Sequence, residues 1–337
     1  MATATRPLPP RATANPAPAR PARSVRRTAT IDVSWPDGQD HDRLFVGRVR
    51  DYLTPADGGE GRVLDAAEYR ARLSEDKTIT AIEASPAPDR LPSLVGVRGG
   101  NHLRLFIKET MPELIAQGMP LYLVLDDISG SALVSAFAWS QWHEDWAEKF
   151  RERVGDEQFQ QLMNQRVNIC WGLQEGHSGV SPDGPARDVA DADAGELRNP
   201  ADPQGWHDIP ENDGPGFRRA RRIDVSLDEQ AGVIRIDSAF QDSAKRRGLG
   251  RVAIHEYNLR AVADAKTLEL LEIAAEPRIL PFWECPGAVH NTQRLIGSRL
   301  PAIRDTVLEQ LRGPAGCTHL NDALRALAEV PKLATCL

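Results

Sequence analysis

Residues 26–34 read RRTATIDVS, and residues 218–226 read RRARRIDVS. Two arginines precede the same Ile-Asp-Val-Ser ending, so that Ile31 and Asp32 fall on Ile223 and Asp224. Working outward, Glu68-Tyr69 recurs as Glu256-Tyr257, and KTITAIEASPAPDRLP (77–92) lines up with KTLELLEIAAEPRILP (266–281) without a gap. IKETMPELI (107–115) matches IRDTVLEQL (303–311), and Leu125-Asp126-Asp127 falls on Leu320-Asn321-Asp322. The five matches keep their order at offsets between 188 and 196 residues. This pattern predicts two copies of one unit, residues 26–137 and 217–337.

Each unit opens with a period near two. IDVSW, LFVGRVRDYL, EYRARL and TITAIEA predict four strands, as do RIDVSL, VIRIDSAF, HEYNLRAV and LELLEIA. Gly- and Asp-rich gaps between them suit antiparallel turns. Helical periodicity follows at 102–117 in the first copy and at 290–312 and 318–329 in the second. Strands first and helices afterwards predict an α+β fold. A four-stranded sheet with one apolar face needs a cover, so the two copies are expected to pack as an intrachain pseudo-dimer.

The net charge of −7 is unevenly spread. The first 27 residues carry six arginines and no acid, whereas residues 173–216 hold ten acids and two arginines. Everything outside residues 173–216 sums to +1, and no basic face for nucleic acid is expected. No apolar run is long enough to span a membrane. Residues 1–25, rich in Pro, Ala and Arg, are expected to be a disordered basic arm; they lack the hydrophobic stretch of a secretory signal, and an organelle transit peptide is the weaker reading. Residues 173–216 are expected to be an acidic flexible linker. Residues 138–172 form a helical connector in which Trp139, Trp142, Trp146 and Phe150 share a face expected to be buried. Four scattered cysteines (Cys170, Cys285, Cys317, Cys336) are too few for a disulfide framework and predict reduced thiols in a cytoplasmic protein.

The fragment GPAGCTHLNDALRAL (313–327) sets Cys317 and His319 at the mouth of a helix. Thr318 is the expected N-cap, with Leu320, Leu324 and Leu327 on one buried face. The helix dipole would favour a thiolate at Cys317 and a neutral imidazole at His319. At the matched positions the first copy has Tyr122 for Cys317, Val124 for His319 and Ala67 for His255. Any Cys/His site therefore occurs once, in the second copy.

Four elements of that copy, Arg222-Ile223-Asp224, His255-Glu256, Pro281 to Cys285, and Gly316-Cys317-Thr318-His319-Leu320, resemble the bacterial domain-of-unknown-function family numbered 2889. The resemblance covers about 120 C-terminal residues and implies no assigned reaction.

The candidate catalytic residues are His255, Cys285, Cys317 and His319, with Tyr257 and Glu276 as substrate contacts. Cys317 could act as nucleophile with either histidine as base, or His255 could move a proton with Glu256 or Glu276. A regular strand sends His255 and Glu256 to opposite faces, and puts Tyr257 on the face of His255. Four N and S groups suit tetrahedral zinc, but Cys-x-His is not a usual zinc spacing and no paired C-x2-C occurs, so no metal or other cofactor is expected. The rival structural reading makes Cys285 and Cys317 small buried hydrophobes and His319 a satisfied core histidine. No P-loop, dinucleotide fingerprint or nucleophile elbow occurs. The sequence thus predicts an enzyme acting on a small acyl or aromatic metabolite. The alternative is a non-catalytic small-ligand-binding or scaffolding protein.

Overall fold

The two Arg-Arg segments form the middle of one sheet. The computed structural model describes residues 12–180 and 192–337. The strands are β1 (Ser24–Ser34), β2 (Arg43–Thr54), β3 (Arg62–Leu73), β4 (Ile79–Ser85), β5 (Ala192–Asp193), β6 (Gly216–Asp228), β7 (Val233–Lys245), β8 (Arg251–Asp264) and β9 (Leu270–Ile279). Among the described residues they make a single nine-stranded antiparallel sheet in the order β4-β3-β2-β1-β6-β7-β8, with β9 and the short β5 on the outer edge of β8. β1 and β6 pair along their length from Ser24↔Ser226 to Ser34↔Gly216, with Ala29 opposite Arg221 at the centre. The fold is therefore α+β.

Helices cover one face. They are α1 (Asn101–Thr110), α2 (Pro112–Ala116), α3 (Pro120–Val134), α4 (Phe137–Ser140), α5 (Trp146–Val154), α6 (Asp156–Arg166), α7 (Ile303–Gln310), α8 (Thr318–Arg325) and α9 (Val330–Ala334). The helix expected over 102–117 breaks at Met111, because Pro112 opens a new turn. The one expected over 290–312 begins as a 3-10 turn, Cys285–Leu295, and becomes α-helical only in α7. Helix α3 packs on β1 and β2, α8 on β8, and α9 on both β1 and β6. One hydrophobic core runs from Val25 and Phe45 through Leu125 to Tyr257, Leu324 and Leu333. Among the described residues no helix is long and apolar enough to cross a membrane.

Charge is buried along the β1–β6 pairing. On the helix-covered face Arg27 holds Asp51, its neighbour on β2, through two contacts of 2.6 Å and also reaches Glu329. Arg219 holds Asp242, its neighbour on β7, at 2.8 and 2.9 Å and Asp322 at 3.0 Å. Arg221 grips Asp127 of α3 with two nitrogens. On the opposite face Arg26 holds Asp224 at 2.5 and 2.8 Å, and Arg218 holds Asp32 at 2.6 Å. Arg26, Arg27 and Arg219 are among the largest fully buried side chains. Guanidinium groups tolerate this because their fork can meet a carboxylate with two hydrogen bonds.

Three expectations are corrected. The described part of the arm, residues 12–23, and the described part of the second half of the linker, residues 192–215, are not loose; they pack together on the back face. Ala17 and Trp206 bury against Ala220 of β6, and Asp202 takes Arg20 at 2.8 to 3.1 Å. Arg20 of the basic stretch and Asp202 of the acidic one, 182 residues apart, thus meet in space. His207 is buried between the hydroxyls of Thr28 and Thr30, each at 2.9 Å, and burial pushes its pKa down to about 3. Residues 1–11 and 181–191 lie outside the described residues. The third correction is the tryptophan stripe: α5 and α6 bury no residue. Trp139, Trp146, Phe150 and Phe159 instead run in file at centroid spacings of 6.3 to 6.4 Å. Helices so rich in charge cannot sink further.

Replacing Asp127 with Ala leaves Arg221 buried without its two-pronged partner. The expected loss is about 3–5 kcal/mol in urea unfolding. Asp37→Ala, which breaks an exposed pair with Arg72, should cost about 1 kcal/mol or less. Equal losses for the two would contradict this account of the interior.

Candidate functional site

Strand pairing lays a row of polar groups across the helix-covered face. Arg219 on β6 lies opposite Asp242 on β7, and Asp242 lies opposite His255 on β8. Arg219 binds both oxygens of Asp242, and His255 Nδ1 lies 3.3 Å from Asp242 Oδ2. The pairing shifts register just past Asp242, a bulge of the kind that re-aims side chains at sites. From above, α8 lays the ring of His319 on His255 with centroids 3.5 Å apart and planes 16° apart. Asp242 and His255 are buried, while His319 keeps partial exposure.

The electrostatics follow from these partners. Arg219 holds the Asp242 carboxyl well below the usual carboxylate range despite its burial. His319 is pushed well below the ordinary imidazole value by burial and by His255 beside it, so it is neutral at pH 7. The neutral form matches the expectation, but desolvation is the leading cause and the helix dipole is not needed for it.

The thiol is different. Cys317, not Thr318, occupies the N-cap position of α8, with φ −118° and ψ 131°. Its sulfur is buried, and burial raises its pKa even though the amides of His319 and Leu320 and the Tyr257 hydroxyl pull it down. The expected thiolate is therefore corrected: removing the sulfur from water outweighs two aligned N–H groups. Cys317 makes no hydrogen bond to either imidazole among the described residues. Its neighbours are the Tyr257 phenol, itself raised well above its ordinary pKa by burial, together with Cys285 and Cys170. Burial likewise raises Cys285, and lifts Cys170 to about 11. The packing is close: a Cβ added at Gly172 would sit 2.4 Å from Cys285 Sγ.

The six expected site residues thus divide. His255 and His319 stack, and Cys317, Tyr257 and Cys285 form an adjoining thiol–phenol cluster. Glu276 is not brought in. It lies across from Asn258 on the opposite face of the sheet, exposed, and pairs with Arg278 at 2.7 Å. Glu256 also faces away from His255, where Gln241 donates to it at 2.7 Å. Sequence reasoning missed Asp242, Arg219 and Cys170. An aspartate inside the strand pattern VIRIDSAFQDSAK was the available signal, since a mid-strand acid beside buried positions calls for a cation on the neighbouring strand.

Asp242, His255 and His319 each offer one ligand atom, all within 4.8 Å of one another. Two imidazoles and a carboxylate are a donor set for divalent zinc or iron. The stacked rings do not yet suit it, because a metal must lie near the plane of each imidazole and two nearly parallel rings share no such point. One ring has to turn.

Alkylation of the native protein at pH 7.5 should label Cys336, which is partly exposed, well before Cys170, Cys285 and Cys317. Peptide mapping by mass spectrometry reads this directly. Labelling of Cys317 as fast as Cys336 would contradict a buried, protonated thiol.

No curated protein and no solved structure matches the chain. Residues 217–332, which carry β6 to β9 and the Cys/His cluster, match the family described as protein of unknown function (DUF2889).

Proposed function

We propose that the chain is an enzyme acting on a small organic molecule of acyl or aromatic type, through one site in its C-terminal part. The observation that carries this reading is the row Arg219–Asp242–His255–His319. A buried carboxylate on Nδ1 fixes the imidazole tautomer, assigned here from the hydrogen bond, and leaves Nε2 as the proton-transfer atom. Asp242 would stabilise the imidazolium that forms, the orienting role a carboxylate plays in acid–base dyads. Arg219 keeps Asp242 ionised and in place. His319, neutral and partly exposed, is the most exposed member of the row. Cys317 and Tyr257 supply a polarisable wall rather than a nucleophile. The four free cysteines fit a reducing compartment such as the cytoplasm.

The 4.8 Å cluster favours a second reading in which the same three residues hold a divalent metal that activates water. Turnover of a panel of acyl esters, thioesters and aromatic acids, with and without added zinc or ferrous iron, separates the two. The acid–base reading expects metal-independent turnover that falls on the order of 10²–10⁴-fold in His255→Gln. Turnover that requires metal, with calorimetric binding of one ion lost in His319→Gln, selects the metal reading. Wild-type rates in both variants would refute both.

We further infer that the two sheet halves descend from one duplicated unit and pack as a pseudo-dimer about the β1–β6 pairing. An offset of 192 residues turns Arg26, Arg27 and Asp32 into Arg218, Arg219 and Asp224. The same offset converts the pair Arg26–Asp224 into Arg218–Asp32, and residue 29 into residue 221, which it faces. Arg27 and Arg219 each bind the acid opposite them on the next strand. These coincidences support a two-fold relation, in which only the C-terminal half kept the histidines.

A further inference from the structure

The back face of the sheet, opposite the histidines, holds a partly open cavity of about 150 Å³. Its floor is a grid set by strand register. Ala220, Gln241 and Glu256 lie side by side on β6, β7 and β8, and the next row is Arg222, Ala239 and Asn258. Ala239 makes the hollow, because its small side chain sits between the long Arg222 and the amide of Asn258. Residues 14–18 of the arm and Trp206 close the roof. The roof is stitched down largely by polar contacts: the Ala14 amide donates to Glu256 at 2.5 Å, and Arg278 donates to the carbonyl of Ala12 at 2.9 Å.

The charged groups in the walls are already compensated. Arg222 binds Asp224 and Asp237, and Glu256 accepts from Gln241 as well as from Ala14. Two neutral groups are not. Asn258 Oδ1 is buried without a partner, and the Trp206 indole N–H is likewise buried and unpartnered. A buried acceptor and a buried donor left open each cost free energy, on the order of 1–3 kcal/mol. One lies in the floor and the other in the roof of the same cavity, which points to an occupant that supplies the complements.

We infer that this cavity is a second binding site, separate from the histidine row, for a neutral planar molecule of benzene-like size carrying one N–H donor and one carbonyl acceptor. Size follows from the volume, since about 150 Å³ holds a benzene ring. Neutrality follows from walls whose charges are mutually satisfied, so that an added ion would be desolvated without a counter-charge. The arm serves as the lid, held by hydrogen bonds that a passing opening can break and re-form.

The test uses the full-length protein and 2-pyridone as probe, with toluene, benzoate and benzylammonium as size-matched controls. The readout is the Trp206 indole N–H resonance. The expected result is a saturable shift with 2-pyridone, no comparable shift with the three controls, and binding weakened on the order of tenfold in Asn258→Leu. His255→Gln should bind the probe as the wild type does, which separates this site from the proposed catalytic one. An unmoved Trp206 resonance at every probe concentration, as when the cavity holds only water, overturns the inference. So does a response to toluene or to either ion equal to that of 2-pyridone.

Discussion

The fold depends on a pairing that water would ordinarily forbid: arginines buried at the middle of a continuous sheet. Six guanidinium groups, Arg26, Arg27, Arg218, Arg219, Arg221 and Arg222, lie along β1 and β6 and are buried. Each survives there because a carboxylate meets it, from the neighbouring strand or from a helix laid over the sheet. Such pairs add little net stability compared with apolar residues of similar volume, but an unpaired member is severely destabilising. Their consequence is register. Sliding β1 against β6 by one residue would separate Arg26 from Asp224 and Arg218 from Asp32, the two pairs that cross this seam. The same requirement fixes the helices, since Asp127 of α3, Asp322 of α8 and Glu329 beside α9 must reach particular guanidinium groups.

This arrangement also places the candidate site. Arg219 belongs both to the buried seam and to the row that ends at His255 and His319. Asp242 is ionised and immobile because a structural arginine holds both its oxygens, so the orientation of His255 is inherited from the sheet. A strand alone would present a histidine at the right height but leave its ring free to turn. The helix dipole contributes less than its position suggests: at Cys317 the cost of burying sulfur exceeds the benefit of two amide N–H groups.

Much of the architecture was legible in the sequence because it rests on periodicity. Alternation identified all eight long strands, and a regular strand placed Glu256 on the face away from His255. What escaped is what depends on partners distant in sequence. The Arg-rich arm and the acidic segment after residue 191 each look unable to fold alone, and the described parts of both pack only against one another and the sheet. Proline at 112 splits a helix that periodicity alone would run through. Glu276 misled because identity as an acid says nothing about which face a strand gives it, and counting from His255 through a bulged pairing does not settle that. Asp242 went unnoticed because an aspartate within a strand reads as a surface residue until its arginine is found.

The relation between the two halves is the claim on which most of this account rests. Sedimentation equilibrium and denaturant unfolding of residues 217–337, expressed alone, test it most directly. With β1 absent, β6, which carries four of the buried arginines, exposes a long unpaired edge. The account predicts a homodimer, joined by β6 pairing with its own copy about Arg221, whose unfolding depends on protein concentration. A stable, fully cooperative monomer would contradict it.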